Sequence, residues 1–227
     1  MQTFFTADPH FGHARIIELC GRPYVTTKEM NNDLAARWNS VVAEDDTVYV
    51  LGDVALGQPV TDSLKHIRRL NGTKYLVAGN HDRAWLGYDK RYTNGNPTGP
   101  ERLASARALY LESGFDDVIN PEPGQALDKT FVLAGEDLPD TEEAQIEFEM
   151  SHFPYVGDSH GEDRYVSWRP ADRGGWLVHG HVHKQWLQRG RMINVGVDVW
   201  AGYPVSLRQI AELIEAGERD LAPLSWQ

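Results

Sequence analysis

The sequence predicts an α/β protein with helices packed on a sheet, and three observations carry that expectation. Short apolar runs at Thr3 to Ala7, Thr47 to Leu51 and Lys74 to Ala78 alternate with segments of helical periodicity. A strand-helix-strand-helix-strand order of this kind builds sheets flanked by helices. Each run also delivers a polar residue at its end, namely Asp8, Asp53 and Asn80. Open α/β sheets gather their ligand sites at the carboxyl ends of strands, so the repetition has a physical meaning. Finally, the chain of 227 residues is long enough for one good-sized core, and a single domain spanning 1–227 is expected.

Taken in order, the first strand opens into the loop Asp8-Pro9-His10-Phe11-Gly12-His13. Thr26 with Glu29 makes a capping box for a helix whose Met30, Leu34, Trp38 and Val41 share a face. It ends before the acidic turn Glu44-Asp45-Asp46. The second strand follows, ending at Gly52-Asp53. A helix over Asp62 to Leu70 and the stop Asn71-Gly72 come next, then the strand into Gly79-Asn80-His81-Asp82. Residues 84–100 read as irregular, with Asn94-Gly95-Asn96-Pro97 as loop markers. A helix over Glu101 to Glu112 is expected to pack through Leu103, Ala106 and Tyr110, followed by strands at Asp116 to Asn120 and Thr130 to Ala134. Glu142 to Met150 alternates apolar and polar residues as a half-solvated strand does, and runs into His152. Asp158 to Gly175 reads as a surface loop. Strands at Trp176 to His179 and Met192 to Val195 follow, and Ser206 with Gln209 caps a final helix through Leu207, Ile210 and Ile214.

Composition narrows the function. The net charge is −11, which argues against extended nucleic acid as a partner, because such binding needs a basic face to displace counterions. A small phosphate ester remains possible, since bound divalent cations can meet its charge. No apolar run approaches the ~20 residues of a membrane helix, and the N-terminus lacks the basic and apolar segments of a signal peptide. Cys20 is the only cysteine, which excludes an intrachain disulfide and suits a reducing cytoplasm. It reads as a packed small side chain rather than a reactive thiol.

The chemistry gathers at Asp8, His10, Asp53, Asn80, His152, His181 and His183. These are oxygen and imidazole ligands without a thiolate, a set that suits Mn, Fe, Zn or Ni. Seven donors are more than one ion of about four to six ligands takes while keeping a place for water. Two ions sharing a carboxylate fit better, at the roughly 3.5–4 Å separation of dinuclear hydrolytic sites.

Asp8-Pro9-His10, Gly52-Asp53, Gly79-Asn80-His81-Asp82, the lone His152 and Gly180-His181-Val182-His183 resemble the five ordered blocks of the calcineurin-like metallophosphoesterases. The resemblance spans residues 8 to 183. It implies two mixed β-sheets packed as a sandwich flanked by helices in an α/β/β/α order. One ion would be held by Asp8, His10, Asp53 and His183, and a second by Asp53, Asn80, His152 and His181. It further implies attack on phosphorus by a hydroxide between the metals, with His81 protonating the leaving alkoxide and Asp82 orienting His81.

Two departures from the protein-phosphatase branch narrow the expectation. Val54-Ala55-Leu56-Gly57 follows Gly52-Asp53 where those enzymes continue with Asp-Arg-Gly, and Asp82 stands where they carry glutamate. Both point to a phosphodiesterase acting on small diesters such as cyclic nucleotides. A phosphomonoesterase or nuclease on the same metals is the alternative, and a non-catalytic scaffold is the alternative of another class. Arg164, Trp168 and Arg169 are candidates to line a substrate pocket, with arginine clamping phosphate and tryptophan stacking on a base. His13 is either a further phosphate contact or proton donor, or a hydrogen-bonded loop histidine. His179 is expected beside the ligands rather than among them, and His66 and His160 at the surface.

Overall fold

In the computed structural model, which describes residues 1–57, 59–88, 99–133 and 144–226, the strands form two sheets. The loop markers at 94–97, the last residue of the expected strand at Ala134 and the first two of the strand expected from Glu142 lie outside the described residues. In the first sheet β1 (Thr3–Thr6), β2 (Thr47–Val50), β3 (Thr73–Val77) and β4 (Asp117–Ile119) run parallel and adjacent. A short β10 (Val205–Ser206) adds antiparallel beside β1. The second sheet contains β5 (Leu127–Leu133), β6 (Ala144–Ser151), β7 (Leu177–His179), β8 (Gln188–Gly190), β9 (Met192–Asn194) and β11 (Arg219–Leu221). Its order is β11-β8-β9-β7-β6-β5, with β6, β7 and β9 parallel.

Side chains alternate across a strand, and here both faces are covered. Phe4, Val48, Val50 and Leu76 join the core under the helices, while Phe5, Tyr49, Leu51 and Val77 join the core between the sheets. That is why these strands read as unbroken apolar runs. Phe5 meets Phe131 and Phe148 edge-on at 5.3 and 5.5 Å, and those two rings stack at 4.8 Å, which welds the sheets face to face.

Helix α2 (Thr27–Val41) carries half of the expected capping box: the Glu29 amide donates to Thr26 Oγ1 at 3.2 Å, while the Glu29 carboxylate accepts from the Val25 amide at 2.9 Å, one residue before the cap, rather than from Thr26. It buries Met30, Leu34 and Trp38. Helix α4 (Pro100–Glu112) packs through Ala106 and Tyr110, and α5 (Leu207–Glu215) starts at the Ser206–Gln209 capping box and adds Leu207 and Ile210 to the inter-sheet core. Among the described residues no helix is long and apolar enough to cross a membrane.

Three segments differ from expectation. A seven-residue helix, α1 (Ala14–Cys20), follows the first loop; its N-cap, His13, makes no side-chain cap bond, so it left no capping signal. The single helix expected over Asp62 to Leu70 is instead α3 (Val60–Leu64) and a 3₁₀ turn (Ile67–Arg69), because His66, Arg69 and Leu70 close back three residues, not four. The stretch 158–175 is not a plain surface loop: Asp158 and Arg169 are buried. The sheets themselves join at one end, where the Ala7 amide donates to the Val195 carbonyl and the Val197 amide donates to the Ala7 carbonyl.

Candidate metal centre

Five of the seven expected ligands sit in left-handed backbone: Asp8 (φ 57°), His10 (50°), Asp53 (55°), His181 (69°) and His183 (50°). Such a conformation costs a non-glycine residue on the order of 1 kcal/mol or more, so it persists only where the surroundings enforce it. Among the described residues only two other non-glycine positions, Tyr165 and Ala201, share it. The glycines of the same blocks make room. A Cβ on Gly79 would fall 2.5 Å from Asp53 Oδ1, and one on Gly180 would fall 2.7 Å from Asp8 Oδ2.

All seven side chains converge. Donor atoms of Asp8, His10 and His183 lie within 4.8 Å of one another, as do those of Asp8, Asp53 and His152. Asp53 Oδ2 is 3.6 Å from His10 Nε2 and 3.5 Å from His152 Nε2. His152 Nε2 also lies 3.1 Å from Asn80 Oδ1, and the His181 ring is centred 5.2 Å from the His152 ring. Three buried atoms in this cluster, Asp8 Oδ1 and both ring nitrogens of His10, have no hydrogen-bond partner. An orphaned buried polar atom costs about 1–3 kcal/mol, and His10 Nε2 and Asp8 Oδ1 lie 4.0 Å apart, where a cation would relieve both. The donor set and these atoms fit divalent ions.

One ring nitrogen is tied down in each of His152, His181 and His183, whereas His10 has neither held. His152 Nδ1 donates to the Leu51 carbonyl at 2.8 Å, which leaves Nε2 with its lone pair towards Asp53 and Asn80. His181 Nε2 meets Asp158 Oδ2 at 3.1 Å, and His183 Nδ1 meets Asp198 Oδ2 at 3.0 Å. Carboxylates and carbonyls in these positions set the tautomer and ring orientation of a histidine that holds a metal. Neither Asp158 nor Asp198 was legible as a site residue, because each acts from a distant point in the chain.

Charge in the cluster is held unevenly. Burial pushes the Asp8 carboxyl up to about 6. Burial also raises Asp53, yet His152 and His81 outweigh it and hold Asp53 below the usual carboxylate range. Burial, reinforced by His183 and His81, holds His10 well below its ordinary value, so it stays a neutral donor. Burial likewise lowers His181 to about 4, against the pull of Asp158. His183 runs the other way: burial lowers it, but hydrogen bonds to Asp198 and Cys20 keep it well above.

His81 stands at the lip, its side chain 40% exposed, with Nε2 4.0 Å from Asp53 Oδ2. Its backbone amide donates to Asp53 Oδ1 at 2.8 Å. The expectation that Asp82 orients this ring is corrected. Asp82 is fully buried and points inward, accepting from the amides of Asp53 (2.8 Å), Gly79 (2.9 Å) and Val54 (3.1 Å) and from the Tyr110 hydroxyl (3.1 Å). It shapes the backbone under the centre. Its carboxyl is pushed up to about 6 by burial and by Asp53.

A cleft of about 260 Å³ opens over the cluster, with His13, Arg164 and Lys184 on its wall and Ile16 and Leu19 on an apolar flank. Trp168 and Arg169 are not part of it. Trp168 packs on Trp85 at 4.6 Å, and the buried Arg169 donates to the carbonyls of Gly157 and Arg164. Base stacking on Trp168 therefore loses its footing, and with it the aromatic part of the sequence argument for a nucleotide. His179 donates from Nδ1 to the Gly180 carbonyl beside the cluster, as expected. His160 is exposed, but His66 is half-buried, stacked on Phe11 at 5.4 Å.

Buried aspartates and histidines gathered at the strand ends of a two-sheet α/β sandwich define a metal-binding phosphoester hydrolase. The chain belongs to the calcineurin-like phosphoesterases, whose family model matches residues 1–185. It is 34% identical to the Gene 66 protein of Mycobacterium phage L5, over 93% of each chain. It is 30% identical to the Gene 66 protein of Mycobacterium phage D29, over 96% of this chain and 98% of that one. An uncharacterized protein of Methanocaldococcus jannaschii is 27% identical over 95% of this chain and 92% of its own. Among solved structures, the protein of unknown function AQ665 from Aquifex aeolicus has a TM-score of 0.57 at 24% identity, covering 93% of this chain and 98% of that one, which speaks to fold alone.

Proposed function

We propose that residues 1–227 act as a single-domain phosphodiesterase with two divalent ions, one held by Asp8, His10, Asp53 and His183 and the other by Asp53, Asn80, His152 and His181. The observation that carries this reading is the convergence of the seven side chains with unpartnered Asp8 and His10 atoms at the centre. Bound ions would neutralise charge on the phosphoryl oxygens and lower the pKa of a water towards neutrality. Asp53 is the shared donor, since its Oδ2 faces histidines of both groups. The left-handed turns at Asp8, His10 and Asp53 keep these donors aimed at one point and save reorganisation on substrate binding.

His81, partly exposed and anchored through its amide to Asp53, gives a proton to the departing alkoxide oxygen. A cleft of about 260 Å³ suits a small ester and is narrow for a polymer strand. The single cysteine supports work in a reducing cytoplasm.

The test is steady-state hydrolysis of matched aryl phosphate mono- and diesters by protein stripped of metal and reloaded with Mn, Fe, Zn or Ni. Diester turnover that depends on reloading is expected, and a clear monoester preference would overturn the choice. His81→Ala is expected to lower kcat by about 10²–10³-fold on a diester with a poorly leaving alkoxide, and far less on one with a good leaving group. Equal losses on both substrates would remove His81 from the role of acid.

A further inference from the structure

Arg22 follows the left-handed glycine that ends α1, so the chain leaves the first loop, makes two turns of helix and comes back beneath it. The Arg22 side chain is fully buried, and all five of its N–H donors have acceptors. Nε donates to Asp198 Oδ1 at 2.7 Å and Nη2 to Asp198 Oδ2 at 3.0 Å, a two-pronged pair. Nη2 also reaches the Asp8 carbonyl and Nη1 the Pro9 carbonyl, each at 2.8 Å, and Nη1 meets Met30 Sδ at 3.4 Å. Those carbonyls belong to the loop whose left-handed turns at Asp8 and His10 aim both side chains into the cluster. Asp198, locked by Arg22, in turn holds Nδ1 of His183. One guanidinium thus ties together the two separate segments that supply Asp8, His10 and His183.

We propose that Arg22 is the positioning residue of the Asp8, His10 and His183 half of the centre, acting through the Asp8-Pro9 carbonyls on one side and Asp198 on the other. The inference rests on the two-ion reading above. The rings of the other half have supports of their own, His152 the Leu51 carbonyl and His181 Asp158, and that half meets the first through the His181 amide on Asp8 Oδ2 and the shared Asp53, so the larger effect falls on one ion. Lysine cannot replace this fork. It carries the charge but offers a single nitrogen, which cannot span a carboxylate and two carbonyls at once.

The test is equilibrium binding of Mn²⁺ to metal-stripped protein by calorimetry, with electron paramagnetic resonance to distinguish a coupled pair from a lone ion. The full chain is compared with Arg22→Lys, Arg22→Met and Asp198→Asn, each checked by circular dichroism. The unchanged protein is expected to take two equivalents. In Arg22→Lys one site weakens by about 10–100-fold, the range typical of lost groups behind metal ligands, and the other stays within about twofold. The coupled-pair signal then gives way to that of a lone ion at intermediate Mn²⁺. Asp198→Asn is expected to weaken the same site. Two unchanged sites in Arg22→Lys and Asp198→Asn would overturn the proposal. So would equal weakening of both sites with a lowered melting temperature, the mark of a purely structural residue. If Arg22→Met does not fold, the other two variants decide. Failure of the unchanged protein to bind Mn²⁺ at all would instead sink the two-ion reading.

Discussion

Asp82 and Asp158 are both buried aspartates beside the centre, one bonded to the Asp53 amide and the other to the His181 ring, and they are held in contrasting ways. Asp82, at the turn after β3, accepts three backbone amides and one hydroxyl, all from near the ends of strands and from α4. Asp158, in the segment before the 3₁₀ turn at Val166–Trp168, is surrounded by nitrogen donors: His181 Nε2 at 3.1 Å and the Arg164 and Arg169 guanidinium groups at 2.7 and 3.5 Å. The consequence is visible in their charge. Burial and Asp53 raise Asp82, whereas His181 and Arg164 overcome burial and hold Asp158 far below the ordinary carboxylate range. One aspartate braces backbone, and the other braces a side chain expected to hold a metal.

That contrast can be broken in descending order of effect. Asp82→Ala strands three buried amides and should cost about 3–5 kcal/mol of stability, read as a lowered urea midpoint at unchanged slope. A loss under about 1 kcal/mol would mean that the amides find other partners. Asp158→Asn keeps the volume but removes the charge facing His181. It should weaken Mn²⁺ at the Asn80, His152 and His181 half by about 10–100-fold, with a smaller loss of stability than Asp82→Ala; calorimetry on metal-stripped protein reads both. Equal metal affinity in Asp158→Asn and the unchanged chain would remove Asp158 from that role. Arg164→Ala, at a half-exposed ion pair, should change stability by less than about 1 kcal/mol. Because Arg164 lines the cleft and Trp168 does not, it should raise KM several-fold while Trp168→Ala leaves KM alone. The reverse pattern would restore Trp168 to the substrate site.

The same contrast explains which parts were legible in the sequence. Gly79-Asn80-His81-Asp82 is a local motif, in which glycine permits close approach and the donors follow at once. Its neighbours in space are other strand ends, and strands announce themselves by apolar runs. The role of Asp82 was misread because adjacency in sequence suggested contact with His81, whereas successive residues in a tight turn point in different directions. Asp158, Asp198 and Arg22 carry no local mark. Arg22 meets Asp198 across 176 positions and His181 meets Asp158 across 23, so only folding brings these pairs together. Trp168 failed as a substrate candidate for a related reason: an aromatic in a polar stretch can pack inward as readily as outward, and Trp85 decides which.

From the residue pattern alone came the α/β class, the strands β1 to β3 and the capped helices α2 and α5, because each depends on contacts within a few positions; the seven donors came from strand-end positions read together with the resemblance to the five ordered blocks. Tertiary structure decided which nitrogen of His152, His181 and His183 is free, what Asp82 and Asp158 support, and which arginine reaches the cleft. Those outcomes depend on hydrogen bonds between segments far apart in the chain, whose geometry exists only once the two sheets have packed.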